Sequence, residues 1–392
     1  MTISNRRVFF KKAAVGGAGA ALAATDLMNR RIFAQGKTEF NRVVYRELGS
    51  TGFKASEVGF GAMNMRDPEL VHAAIDKGIN YIDTAWWYMK GANEECIGTV
   101  MKTKRDKVFL TTKIFPRKPD DMMSMMETSL KRLQTDHTDL ILLHAVSSRK
   151  TALSDEYIKV MDEARKKGMC RFLGMSAHTN NAEVLDAAVE SKFWQAVLVG
   201  YNFTSPQTVT DSIAKARQAG IAVIAMKTFL TSTWPPSPLP DPPADTSGKT
   251  TKIQTMLKWV LNNPYVDTTV LGMTAFEHLE EDMAVMGMKM GFEDRRILRR
   301  LGEGIRGKYC RGVAGCTGCQ NQCPMGVQIC EINRCLGYAY GYGDLRLARE
   351  NYARLPASNR VDKCGDCEEC QVKCVNGLNL SHSIRKAKEL FA

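Results

Sequence analysis

Four ionisable side chains stand where short apolar runs give out: Asp83 and Tyr88 beyond Tyr81-Ile82, Lys113 near the end of Lys107–Ile114, and His144 near the end of Asp139–Ala145. Their types suit carbonyl reduction. A tyrosine hydroxyl, with a reference pKa near ~10, is a poor acid at neutral pH. A lysine cation beside it favours the phenolate and so eases release of its proton. Asp83 is suited to hold that lysine, and His144 to hydrogen-bond a substrate carbonyl. A nicotinamide would supply hydride as Tyr88 supplies the proton. For the four to act together, three separate segments must deliver their C-terminal ends to one place.

The surrounding pattern predicts that. From residue 38 to about residue 290, short β-branched runs alternate with amphipathic stretches, which implies parallel strands joined by helices. Strands are expected at Glu57–Ala62, Asn80–Ala85, Lys107–Ile114, Asp139–Ala145, Arg171–Ser176, Ala196–Tyr201, Ala222–Lys227 and Thr268–Gly272. Helical patterns between them include Pro68–Lys77, Asp120–Leu133, Asp155–Lys167, Ala182–Ser191, Gln207–Ala219 and Thr251–Leu261. The fold class is therefore α/β, a (β/α)8 TIM barrel, whose strand ends converge on one mouth. A doubly wound sheet usually carries a G-x-G-x-x-G fingerprint, and none follows the first strand. The opening segment, 42–52, reads as a hairpin that closes one barrel end. The prolines of Trp234–Pro243 forbid a helix after strand seven and make that segment a semi-rigid candidate lid. Met122, Met123, Met125 and Met126 read as adaptable core filler.

Asp83-Thr84-Ala85-x-x-Tyr88, Thr112-Lys113 and Leu142-Leu143-His144 together resemble the Asp, Tyr, Lys and His tetrad of the aldo/keto reductase family. Gly91 with Glu94-Glu95, and Tyr45-Arg46-x-Leu48-Gly49-x-Thr51-Gly52, also follow its pattern, so the resemblance covers about residues 40 to 290. It implies a bound NADP or NAD. Ser176, in Gly174-Met175-Ser176-Ala177-His178, would hydrogen-bond the nicotinamide amide, with His178 near the usual Asn. Gly272-Met273-Thr274 and Glu281-Asp282 match the segments that hold the phosphates and adenosine. Three positions depart from the family: Met226 stands where an aromatic residue often stacks on the nicotinamide, Asp282 where an Asn is usual, and His278 is the nearest candidate to grip a 2′-phosphate.

Ten of the twelve cysteines follow residue 309. Cys364-x2-Cys367-x2-Cys370-x3-Cys374 matches the bacterial ferredoxin run, with Val375 in place of its proline. Cys310-x5-Cys316-x2-Cys319-x3-Cys323-Pro324 supplies a second four. Two [4Fe–4S] clusters are expected, and because the fourth cysteine of each run serves the other cluster, Cys310, Cys316, Cys319 and Cys374 form one set. Cys323, Cys364, Cys367 and Cys370 form the other. Zinc suits paired C-x2-C sets and disulfides suit an oxidising compartment, but the close fours with Cys-Pro favour iron. Cys96, Cys170, Cys330 and Cys335 read as small apolar fillers. Residues 295–392 resemble the C-terminal ferredoxin-like domain of a subset of aldo/keto reductases, including Tyr309-Cys310-Arg311-Gly312 and Tyr340-Gly341-Tyr342-Gly343. Tyr338–Tyr342 reads as a turn, and Leu345–Leu355 as an amphipathic helix.

Residues 1–36 read as a twin-arginine export signal: Arg6-Arg7, apolar residues, Lys11, a weak apolar run over Ala13–Ala24, and Ala21-Leu22-Ala23 as a cleavage site. The organisation expected is thus a signal at 1–36, a barrel at 38–292 and an iron–sulfur domain at 295–392. Apolar content of 44% and charged content of 24% are those of a soluble globular protein without a stable membrane anchor. The net charge of +12 is diffuse and lacks a basic stripe interleaved with aromatics, so an acidic redox partner suits it better than nucleic acid. The reading is an exported, periplasmic oxidoreductase acting on a small carbonyl or alcohol and linked to an electron-transfer protein. The alternatives are an electron-transfer subunit whose barrel is a docking scaffold, and a zinc-stabilised binding protein.

Overall fold

In the computed structural model of the chain, residues 43–230, 250–319, 322–364 and 370–391 are described. The expected leader with Arg6 and Arg7, the proline-rich segment Trp234–Pro243 and Cys367 lie outside them. An antiparallel hairpin, β1 (Tyr45–Glu47) and β2 (Lys54–Ser56), opens the fold. Its loop carries Leu48, which is wholly buried among Tyr81, Phe109, Leu140, Leu198 and Ile224 inside the barrel floor. That is the plug expected of the opening segment.

Eight parallel strands then close in chain order: β3 (Val58–Gly61), β4 (Tyr81–Asp83), β5 (Phe109–Ile114), β6 (Thr138–Leu143), β7 (Cys170–Ala177), β8 (Ala196–Gly200), β9 (Ala222–Met226) and β10 (Thr268–Gly272), with β10 pairing back to β3. Every strand falls within two residues of its expected bounds. Residues of β5, β6, β8 and β9 are buried along their whole length, as strands covered on both faces must be. The helix Pro68–Asp76 starts where the sequence signals it. Pro68 suits the first turn, and the Asp67 side chain accepts the Glu69 N–H. The intervening helix Ala92–Lys104 has a weaker apolar stripe, because Asn93 and Glu94 are among its buried positions.

Past β10 the chain is helical. Ile297, Leu298 and Leu301 of the helix Phe292–Gly304 pack into the core that lines the barrel exterior, and the buried Lys258–Asp294 pair (2.6 Å) ties that helix to Lys252–Leu261. The helices Ile329–Leu336, Leu345–Tyr352 and Leu380–Phe391 enclose a smaller core of their own around Ile332, Leu336, Tyr352 and Val361. The second of these ends three residues before the expected Leu355. This tail is seated across the C-terminal mouth of the barrel. A Cβ added at Gly200, the last residue of β8, would lie 2.1 Å from the Val313 carbonyl oxygen. Among the described residues no helix is long and apolar enough to cross a membrane.

Candidate active site

The four side chains singled out by spacing meet at that mouth. β4 ends on Asp83, β5 carries Lys113 one residue before its end, and His144 follows β6 directly. Lys113 Nζ donates to Asp83 Oδ1 (2.5 Å), to the Thr84 carbonyl (2.6 Å) and to the Tyr88 hydroxyl (3.4 Å). The His144 ring meets Tyr88 edge-on at 6.2 Å and stacks on Phe115 at 4.6 Å. Lys113 is 1% exposed, Asp83 3% and His144 6%. Burial this complete makes the charge of each group depend on its neighbours rather than on water.

Those neighbours correct one expectation. Lys113 was expected to make Tyr88 the easier acid, but burial, then the charge of Asp83, then Tyr338 and Tyr342, hold the Tyr88 hydroxyl well above the ordinary phenol range. Burial is the larger cause, and the lysine makes its shortest contact with Asp83 (2.5 Å against 3.4 Å to the phenol), whose negative charge opposes a phenolate. Burial likewise lowers Lys113 and raises Asp83, each opposed by the other. His144 is held well below 6.5 by burial and by Lys113, Arg354 and Arg334, so its imidazole is neutral at pH 7. A neutral imidazole keeps one N–H to donate.

The loop 84–91 is braced from behind. The wholly buried Glu94 accepts from Thr112 Oγ1 (2.6 Å) and meets Arg132 Nη1 at 3.4 Å, while Arg132 also donates to the Trp86 carbonyl (3.0 Å) and lies over its ring. Gly91 has φ +101°, which calls for glycine, and a Cβ there would fall 2.3 Å from the Arg132 guanidinium carbon and displace the end of that side chain. Met89, Lys90, Ala145, Asn180 and Lys227 also have positive φ, and all five lie on loops leaving the C-terminal ends of barrel strands. Backbone strain of this kind gathers where surrounding structure holds a site in place.

A cavity of about 390 Å³ adjoins Tyr88 and Asp83. Of the expected cofactor residues, His178, Met226, Gly272 and Thr274 line it, over a floor that includes Leu198 and Val270. Ser176 is buried behind it, its Oγ accepting the Ala145 N–H (2.9 Å) and so fixing the loop beyond His144. Glu281 and Asp282 are not in the lining. Glu281 accepts from Thr251 Oγ1 (2.8 Å) and braces the helix start beyond the segment 231–249. His278 is 8% exposed, and its Nδ1 accepts the Thr274 N–H (3.2 Å). The apolar floor, the orphaned buried Nδ1 of His178 and the adjacent Tyr88 fit a nicotinamide ring and its amide.

Sequence spacing missed what the tail contributes. Tyr338, Tyr342, Asp344 and Arg346 complete the cavity wall. The Tyr338 oxygen accepts from Lys227 Nζ (3.2 Å) and Arg334 Nη1 (3.1 Å), and these two cations lower its pKa against the effect of burial. Arg354 lies over the rings of Trp87 (3.9 Å) and Phe115 (4.2 Å). The only local signal was the tyrosine-rich turn at 338–342; nothing in it tells which surface it meets.

The tail cysteines bear on the iron–sulfur reading. Burial and the fields of Cys310, Cys316 and Cys374 push the Cys319 thiol up to about 12. Asn376 joins the last two of these, its N–H donating to Cys374 Sγ (3.4 Å) and its Nδ2 to Cys316 Sγ (3.5 Å). Three cysteines of the first run thus face the fourth of the second. Cys330 lies beside Cys310 and fills the space at Gly312, where a Cβ would be 1.7 Å from its Sγ and 3.5 Å from that of Cys310. Among the described residues no group of three or more His, Cys, Asp or Glu side chains is placed to hold a metal ion.

Fold and rim together define a TIM-barrel oxidoreductase. The model of the "Aldo/keto reductase family" matches residues 50–245, half of the chain, and the chain belongs to that family. Methylglyoxal reductase DkgB of Escherichia coli O157:H7 is 24% identical over 254 residues, 62% of this chain and 91% of that protein. An oxidoreductase of Bacillus subtilis (strain 168), YqkF, is 32% identical over 149 residues, but the match spans only 34% of this chain and 48% of that protein. Among solved structures, an aldo/keto reductase from Klebsiella pneumoniae in complex with NADPH is similar at 24% identity and TM-score 0.56, over 66% of this chain and 95% of that one. The holo form of a Bacillus halodurans aldo/keto reductase gives 22% and 0.57, over 66% and 97%. At these identities the structural likenesses speak for the fold.

Proposed function

We propose that the protein is an exported, NADP- or NAD-linked reductase of small carbonyl compounds, or dehydrogenase of the corresponding alcohols, that also carries two [4Fe–4S] clusters. The observation that carries the reductase reading is Lys113 in contact with both Asp83 and Tyr88, beside His144, on the edge of a cavity of suitable size. A bound nicotinamide supplies or accepts the hydride. His178, Met226, Gly272 and Thr274, which line the cavity, would hold it; Ser176 stands behind them and fixes the loop beyond His144, and Glu281 and Asp282, outside the lining, are assigned to the adenosine end on the family pattern alone. Tyr88 gives its proton to the carbonyl oxygen as negative charge develops there. Neutral His144 donates a hydrogen bond to the same oxygen, and Lys113 offsets the charge left on the phenol. The NADPH of the Klebsiella structure and the methylglyoxal of the Escherichia relative's name support NADP and a small carbonyl as first choices.

Residues 295–392 are read as the cluster domain, passing single electrons to or from a partner protein. The mutual field of Cys319, Cys310, Cys316 and Cys374 supports the exchanged grouping. Anaerobic purification with iron, sulfide and bound-nucleotide quantification tests both halves at once. Tyr88→Phe should lower carbonyl turnover by about 100-fold or more while cluster absorbance persists. Cys374→Ser should remove about half of the iron. Unchanged turnover in Tyr88→Phe would sink the reductase reading in favour of a second one, an electron-transfer subunit with the barrel as scaffold. What favours that second reading is the tail itself, whose Tyr338 and Tyr342 roof the cavity. Export by the twin-arginine route predicts that replacing Arg6 and Arg7 together by Lys retains the protein in the cytoplasm on fractionation.

A further inference from the structure

The tail brings a second phenol to the cavity that Tyr88 borders. Tyr338 sits on a single π-helical turn, Gly337–Gly341, a geometry that recurs at functional sites. Arg334, one turn earlier on the helix Ile329–Leu336, shares its face and donates from Nη1 to the Tyr338 oxygen at 3.1 Å. Lys227, which follows β9 directly, donates from Nζ to the same oxygen at 3.2 Å. Both cations can only donate, so they occupy the two lone pairs of the oxygen and leave its own O–H over. Among the described residues no acceptor takes that proton. The ring borders two spaces, one of about 390 Å³ and one of about 50 Å³, and of these only the larger also borders Tyr88 and Asp83. A buried donor without a partner is costly unless an acceptor arrives.

The charges around this hydroxyl suit it to an oxygen that becomes negative. Burial raises the Tyr338 phenol, but Lys227 and Arg334 outweigh it and hold the group below the ordinary phenol value. Tyr88 is moved the other way by burial, Asp83 and Tyr338 itself. Arg354, beyond the helix Leu345–Tyr352, also senses the Tyr338 charge, and Glu331 is engaged by Arg334 at 2.5 Å. Tyr342 borders the same cavity, its ring 5.4 Å from that of Tyr338, but among the described residues no cation donates to its oxygen. His144, the donor expected from spacing, stacks on Phe115 at 4.6 Å and is not part of the cavity wall. Tyr338 is thus the polarised donor with direct access to the space beside Tyr88. A dipole fixed in advance stabilises developing charge most, because nothing has to reorganise as the reaction proceeds.

We propose that the tail supplies a catalytic residue, Tyr338, whose hydroxyl donates a hydrogen bond to the carbonyl oxygen alongside Tyr88. This rests on the reductase reading above and adds a residue to it. Tyr88 gives its proton to the oxygen as hydride reaches the carbon, and Tyr338 keeps its own, so the balance of the step is unchanged. Lys227 and Arg334 are positioning residues that aim and strengthen the Tyr338 O–H. The barrel site is therefore complete only with the tail in place.

The test uses the full chain with NADPH and propanal, together with binding of propanamide, whose more negative carbonyl oxygen accepts the same hydrogen bonds but is not reduced. In Tyr338→Phe, which keeps the ring in the cavity wall, kcat should fall about 100-fold with KM within about threefold, and propanamide affinity should fall about 5- to 10-fold. A phenolate cannot donate, so kcat of the parent chain should fall as pH rises through the Tyr338 ionisation, below the ordinary phenol value. That alkaline limb should move up in Tyr338→Phe. Lys227→Met leaves the phenol in place but less polarised, and should lower kcat about 3- to 10-fold while moving the limb in the same direction. An unchanged kcat, a loss wholly in KM, or an alkaline limb that stays where it was would make Tyr338 a wall residue and overturn the role. If the parent chain does not consume NADPH with propanal, the reductase reading is what fails. Propanamide then decides on Tyr338: equal affinity for parent and variant removes the hydrogen bond, and weaker binding by the variant supports it.

Discussion

His144 sits among Lys113, Arg354 and Arg334 with almost no access to water, and the consequence reaches beyond catalysis. Its folded pKa lies well below the 6.5 of a free imidazole, and burial with Lys227 and Arg334 drives His178 the same way. Below pH 6.5 the unfolded chain binds protons that the folded chain refuses. The stability tied to these histidines is therefore fully present above 6.5 and is lost as pH falls from 6.5 toward their folded values. Thermal unfolding followed from pH 8 to pH 5 should show a decline in Tm that His144→Gln makes shallower; an unchanged slope would show that the ring is solvated. Lys113 and Asp83 give a second prediction at this scale. Lys113→Met leaves Asp83 buried without a partner and should cost about 3–5 kcal/mol. Adding Asp83→Asn should recover much of that loss in a denaturant double-mutant cycle.

At the scale of elements, the loop between β4 and the helix Ala92–Lys104 decides whether Tyr88 reaches Lys113. Arg132, from the helix Pro119–Leu133, crosses behind it to the Trp86 carbonyl and to Glu94. Gly91 leaves room for that side chain. Gly91→Ala should therefore destabilise the fold by about 1–3 kcal/mol and lower activity further than the stability loss explains, because the displaced arginine releases the loop. Comparing residual kcat well below Tm with the unfolding midpoint separates the two effects. If activity simply tracks the folded fraction, the brace has no hold on Tyr88.

For the molecule as a whole, the tail and barrel share one site. Gly200 is the closest approach that can be tested without touching the rim tetrad: a Cβ there collides with the Val313 backbone, which cannot swing aside as a side chain can. Gly200→Ala should push the tail from the mouth while the barrel stays folded. Limited proteolysis should then cut after the barrel sooner than in the parent chain, and near-ultraviolet circular dichroism should report the change around Tyr338 and Trp87. Equal proteolysis of the two proteins would show that the tail does not depend on this contact.

How much of this was legible beforehand follows from the range of the forces involved. The barrel was readable because buried parallel strands demand continuous apolar runs and the helices between them demand a polar face, both local patterns. The tetrad was readable because a barrel brings all its strand ends to one rim, so position along a strand is enough to predict meeting. What sequence by itself could not decide was where the tail lands, since Val313, Tyr338 and Arg354 meet Gly200, Lys227 and Trp87 across more than a hundred residues with no periodicity to announce it. Nor could it decide how readily Tyr88 releases its proton: a lysine nearby suggests an easier acid, but only three-dimensional packing reveals that water has been shut out and that burial and the charge of Asp83 outweigh the lysine. Chain pattern encodes which surfaces are apolar; the balance of burial against charge exists only once those surfaces have closed on one another.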